Sequence, residues 1–203
     1  MAKIVDKEAK RQKILLAALR VIAKKGLAST RMSDIAEAAD VGKGTLYEYF
    51  RSKEEMMHEG FLLIFEKAEE VLARKLFKVT DPAEKIHVIL VGFVEALEQF
   101  PLDFMEIMFD VWAEGVRSVK AKETTVFDMR RLYADYRNLL VSILTEGVHQ
   151  GRFRKNLNPL LTASAILGSW DGLMLQWVLD HSVFNFKEAV ETMYQAYMTG
   201  IRI

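Results

Sequence analysis

Cysteine is absent from this chain, so it carries no disulfide framework and no thiolate metal site, and a reducing compartment suits it. Proline and glycine are scarce as well, with three and eleven in 203 residues. Tight β-turns draw on those two residues, so their shortage disfavours hairpins and predicts an all-helical fold. The N-terminal residues are charged where a secretory leader would be apolar, and the expected location is the cytoplasm. A long uninterrupted apolar run is also missing. Residues 159–179 come closest, with Asp171 as their one charge, but Thr162, Ser164, Ser169 and Gln176 break them further and no second segment is similar. A helix covered by protein is therefore expected there, and no membrane partner.

Neither sign of charge is in excess, since Lys plus Arg and Asp plus Glu both number 28. Their distribution is uneven. Residues 1–55 hold twelve cationic and eight acidic side chains, while the remainder holds sixteen and twenty. A basic head on an acidic body suits a head that meets phosphate.

Helical periodicity covers most of the chain. Residues 7–25 place Ile14, Ala18, Val21 and Ile22 on one face and end at Gly26, and from Ser52 to about Lys78 the apolar residues recur at steps of three and four. Asp81-Pro82 and Pro101 read as helix starts, the second leading through Met105, Met108, Phe109 and Trp112. Further helices are predicted over 123–150, closed by Gly147 and Gly151, over 159–179, and from about Asn185 to Ile201. With the two described next, nine helices are expected.

Residues 30–53 read as two short helices joined by a tight turn. Ser33 and Asp34 suit the first start, Ile35, Ala36 and Ala39 form a small apolar face, and Asp40-Val41-Gly42 breaks the helix before Lys43 to Phe50 resumes it. Contacts of Ala size let steeply crossing helices approach closely, which is how a chain offers a second helix to the major groove. Ile35, Ala36, Ala39, Val41, Thr45, Leu46, Tyr47, Tyr49, Phe50, Lys53 and Glu54 fall in the register of a known N-terminal signature, and the chain resembles the TetR/AcrR family of bacterial transcriptional regulators. The likeness covers the layout of the whole chain, with its specific motif in residues 10–55. It departs at Asp40, Val41 and Gly42, where the family commonly has Gly, Val and Ser. Asp tolerates a left-handed backbone and Gly serves as a helix N-cap, so the turn is expected to survive, with the Gly42 N–H in place of a Ser hydroxyl.

The resemblance implies a helix-turn-helix DNA-binding domain over residues 1–53, and a helical-bundle domain for effector binding and dimerisation over 54–203. Lys43, Gly44, Thr45 and Tyr47 are then expected at base edges, and Thr30, Tyr49 and Lys53 at phosphates. Glu48 accepts from a cytosine amine or points to solvent, the second being preferred. The implied function is that of a repressor bound as a homodimer to a palindromic double-stranded operator and released by a small hydrophobic effector. Candidate effector contacts are the aromatic and Met side chains of the body, Phe61, Phe65, Phe93, Met105, Met108, Phe109, Trp112, Tyr133, Tyr136, Trp170 and Met174, each of which also suits a plain core. The candidate dimer face joins a stripe of small residues to the last helix: Leu161, Ala165, Gly168, Ser169, Gly172, Gln176, Val190, Tyr194 and Tyr197.

Two other readings compete. A metal-dependent bundle enzyme would use the Glu-x-x-His spacing found at Glu55/His58, Glu84/His87 and Glu146/His149. Helical phase sets Glu84 and His87 opposite Ile86, Leu90 and Phe93, and His149 opposite Leu140, so solvated faces are expected, without metal or cofactor. The third reading is a DNA-binding scaffold with no effector.

Overall fold

The computed structural model describes residues 2–98, 107, 112 and 128–203. Among them are eight helices: α1 Ala2–Lys25, α2 Met32–Ala39, α3 Lys43–Tyr49, α4 Lys53–Leu76, α5 Pro82–Leu97, α6 Met129–His149, α7 Pro159–Leu179 and α8 Phe186–Ile201. The one extended pairing among the described residues is an isolated bridge between Phe153 and Arg202. Of the helix expected from Pro101, Ile107 and Trp112 are described, both helical, while Met105, Met108 and Phe109 lie outside the described residues. No described helix is long and apolar enough to cross a membrane.

The described residues fall into two compact units. The first holds residues 2–67 with 107, 112, 128 and 129, and the second holds residues 68–98 and 130–203, so the division falls within α4 and again at the start of α6.

In the first unit the core is built from Ile14, Leu15, Ala18, Ile35, Ala36, Ala39, Leu46, Phe50 and Met56. Alanines at 18, 36 and 39 let α1, α2 and α3 cross closely, while Leu46 and Phe50 anchor the far side of α3. Gly26, at φ +76, ends α1 in the left-handed conformation that favours glycine. The α2 start lies at Met32, ahead of the expected Ser33, because Asp34 Oδ2 accepts the Arg31 N–H at 3.0 Å and so caps the helix from its first turn. That bond and Lys25, 3.1 Å away, hold the Asp34 carboxyl below its ordinary range. Asp40 adopts φ 55, ψ 53 and Gly42 is the α3 N-cap, as the motif's departures require.

In the second unit α8 packs against α5 and α7. Three of its helices open on side-chain caps. The Asp81 carboxylate accepts from the Ala83 and Glu84 N–H groups, Asn158 from Leu161, and Asn185 from Glu188. Pro82 and Pro159 follow the first two caps, at positions where a missing N–H costs nothing. Gly147 does not close α6 as expected. It sits within the helix because a Cβ there would overlap the buried Phe153 ring, and the chain turns at Gly151, φ +69.

Candidate nucleic-acid interface and effector body

The geometry of α3 separates two faces. Leu46 and Phe50 are 0% and 1% exposed, while Lys43, Gly44, Tyr47 and Glu48 are open to solvent and Thr45 and Tyr49 are half-buried. A Cβ added at Gly42 or Gly44 would meet nothing within 4 Å. The chain's own packing therefore does not require glycine at either place, and the bare backbone leaves room for an outside surface. Lys7 Nζ lies 5.9 Å from the Tyr49 ring centre, and Arg11 stacks 4.8 Å above Phe50 while pairing with Glu59.

Thr30 and Lys53, expected at phosphates, both have partners within the chain. Thr30 is 2% exposed, and its hydroxyl donates to the Gly26 carbonyl at 2.8 Å. Lys53 Nζ donates to the carbonyls of Leu27, Ala28 and Thr30. Both groups are committed inside the first unit because the turn after α1 exposes carbonyls that need donors.

The effector candidates divide between the units. Phe61 and Phe65 are buried in the first, with ring centres 4.6 Å apart. In the second, Phe93 meets Tyr136 and Trp170 edge-on at 6.2 and 5.7 Å, and Trp170 meets Phe186 at 5.5 Å. Met174 there is fully buried, while Trp112, which belongs to the first unit, is half-buried. Two polar pairs lie on the same helices: Tyr133 donates to Asp171 at 2.8 Å and Tyr136 to Glu69 at 3.1 Å. A groove of about 240 Å³ in this unit is lined by Glu69, Leu72, Ala73, Leu76, Ile89, Asp135, Tyr136 and Leu139, so it contains one of the expected effector residues. Neither Asp171 nor Glu69 was expected at a site. Asp171 was signalled by its being the sole charge in an apolar helix, whereas Glu69 had no such mark.

Desolvation pushes the Asp171 carboxyl up to about 6 from 3.8, against the smaller opposing effect of the Tyr133 hydroxyl. Desolvation raises Tyr133 and Tyr136 too, aided by Asp171 and Glu69 respectively. The folded state thus binds the Asp171 proton more tightly than the unfolded chain does. Ionisation costs nothing well below pH 4, costs progressively more as pH rises to 6, and its cost is constant above that. Asp171→Asn should therefore raise the melting temperature at pH 7 and leave it near wild type at pH 3.5. Equal gains at both pH values in calorimetry would show that charge is not the cause.

The outward side of α7 carries Leu161, Ala165, Gly168 and Gln176 exposed, with Ser169 and Gly172 half-buried. A Cβ at Gly168 or Gly172 would meet nothing within 4 Å. Ser169 and Tyr197 join their hydroxyls at 2.8 Å across α7 and α8. Val190 and Tyr194 do not share this face. They are 0% and 5% exposed, and the Tyr194 hydroxyl donates to the Ala83 carbonyl. Phe186, Val190, Tyr194 and Met198 recur every four residues, and that stripe is the one α8 turns inward.

The three Glu-x-x-His pairs find other partners. Glu55 accepts the Arg51 N–H, His87 Nε2 lies 2.6 Å from Glu191, and Lys85 donates to Glu146 at 2.7 Å. Among the described residues no group of three acidic or His side chains could hold a metal ion.

Comparison with known proteins gives two family matches. The model described as bacterial regulatory proteins, tetR family, matches residues 14–59, and that of the BetI-type transcriptional repressor, C-terminal, matches residues 82–200. The fatty acid metabolism regulator protein of Bacillus subtilis is 25% identical over 97% of both chains. The transcriptional repressor KstR2 of Rhodococcus jostii is 30% identical, over 75% of this chain and 72% of its own. The solved structure of the fatty acid degradation regulator FadR from Bacillus halodurans is 26% identical, with a TM-score of 0.75 over 93% of this chain and 94% of that one.

Proposed function

The chain belongs to the tetR family of bacterial regulatory proteins and is a transcriptional repressor, and on that premise we propose that it binds a palindromic operator as a homodimer and is released by a small apolar effector. The observation that carries the DNA half is the open face of α3, where Lys43, Gly44 and Tyr47 stand together above a helix pinned by Leu46 and Phe50. Lys43 suits guanine O6 and N7, Thr45 and Tyr47 a thymine methyl, and Tyr49 the adjoining phosphate. The small outward stripe of α7 supports pairing of two copies, and a two-fold dimer would read a two-fold site.

For the effector, the aromatic and Met cluster of the second unit supplies apolar surface, and Tyr133 with Asp171 supplies a polar anchor. Two similar proteins are named as regulators of fatty acid metabolism or degradation, so long-chain fatty acids and their thioesters are the compounds to try first. The protein works in the cytoplasm, as a regulator and not an enzyme, and needs no cofactor or metal.

Selection of DNA from a random-sequence duplex pool with the purified protein tests this reading. An inverted repeat with half-sites separated by about one or more helical turns is expected. Enrichment of no sequence by a folded protein would end it.

A further inference from the structure

An ammonium group has three donors and no acceptor. At Lys53 all three are committed within the chain, since Nζ lies 2.6 Å from the Leu27 carbonyl oxygen, 3.2 Å from that of Ala28 and 2.9 Å from that of Thr30. Among the described residues no backbone N–H reaches the Ala28 or Thr30 oxygen, so the ammonium supplies donors that the turn lacks. Electrostatics favours the same placement. Lys53 is the first residue of α4, where the positive end of its own helix repels a cation, and the carbonyls just past the end of α1 attract one. The turn it grips is already closed on its other side, because Thr30 sends both its N–H and its hydroxyl to the Gly26 carbonyl.

Between the two ends of this contact lie α2 and α3, residues 32–49. Lys53 thereby fastens the exit of α1 to the entrance of α4, and the segment carrying the open face of α3 is held at both ends. We propose that Lys53 is a positioning residue for DNA recognition: it fixes the α2–α3 pair by clamping the Leu27–Thr30 turn and makes no phosphate contact of its own. The inference rests on the reading of α3 as the DNA-binding helix.

Substitution by arginine separates the possibilities. A phosphate contact survives Lys→Arg, because a guanidinium is a good phosphate ligand. Three converging carbonyls fit a compact ammonium and not a planar fork. With a duplex selected by the wild-type protein from a random pool, Lys53→Arg and Lys53→Ala should each lose about tenfold in affinity, the scale of a lost hydrogen bond to a charged group. The slope of log K against log salt should stay at the wild-type value, measured where circular dichroism shows both variants fully folded. Amide hydrogen exchange across residues 27–34 should quicken in both. The clamp is overturned if Lys53→Arg restores binding and the slope falls by about one unit per half-site in Lys53→Ala, the mark of a phosphate contact. It is equally overturned if both variants bind at wild-type affinity and only melt earlier, the mark of a purely structural contact. Should the wild type select no duplex at all, the DNA reading fails first. Unchanged exchange over the turn would then overturn the clamp independently.

Discussion

Gly172→Leu should yield a folded monomer that no longer holds its operator. In the single chain a Cβ at this position meets nothing within 4 Å, and replacing a glycine inside a helix gains up to about 1 kcal/mol of helix propensity. The subunit itself should therefore fold as well as wild type or slightly better. In the proposed dimer the same position lies on the small stripe with Ala165 and Ser169, where close approach of a second copy depends on missing side chains. Overpacking such a contact costs roughly 1–3 kcal/mol, and two-fold symmetry imposes it twice. Sedimentation velocity at a concentration where the wild type is dimeric should show a monomer-sized species, with an unchanged or higher melting temperature. Operator affinity should fall by about a hundredfold to ten-thousandfold, because the second head no longer benefits from the effective concentration that the first one creates. A variant that sediments as a dimer and binds normally would remove this stripe from the interface.

The helix-turn-helix was legible in the sequence because its determinants are local. Ile35, Ala36, Ala39, Leu46 and Phe50 recur at helical spacing, and all five are buried. The helix start at Pro82 was legible for the same reason, since cap and proline are adjacent residues. The partners that Lys53 finds within the chain were not legible because they are backbone carbonyls more than twenty residues earlier, and carbonyl direction leaves no trace in residue type. Thr30 suffered alike, its hydroxyl turning inward to the Gly26 carbonyl. On α8, Tyr194 and Tyr197 look interchangeable in the sequence. Packing against α5 decides between them, drawing Tyr194 onto the Ala83 carbonyl and leaving Tyr197 beside Ser169. Gly147 looked like a helix stop, yet the requirement comes from a ring six residues later that fills the space of its Cβ. Asp171 was visible as an oddity and silent as to purpose, because its partner Tyr133 belongs to another helix.

Long-chain acyl compounds should raise the melting temperature of the protein and lower its operator affinity together. Binding to the folded state alone adds about 2.7 kcal/mol at a hundredfold excess over the dissociation constant, which for a chain of this size is roughly 5–10 °C. A coupling of about 1–3 kcal/mol between the two sites corresponds to a loss of about 5–150-fold in operator affinity. Reciprocity makes the claim strict, since the operator duplex must weaken acyl binding by the same factor. Phe93 gives the variant, because its ring meets both Tyr136 and Trp170 edge-on and joins the two helices most concerned. Phe93→Leu keeps an apolar side chain there while removing the aromatic contacts, so ligand-free DNA binding should hold while both ligand effects shrink. Calorimetry and operator titrations with and without the compound supply all four quantities. If acyl compounds stabilise the protein but never change its DNA affinity, they are filling incidental core space, and the protein is a DNA-binding module to which these compounds send no signal.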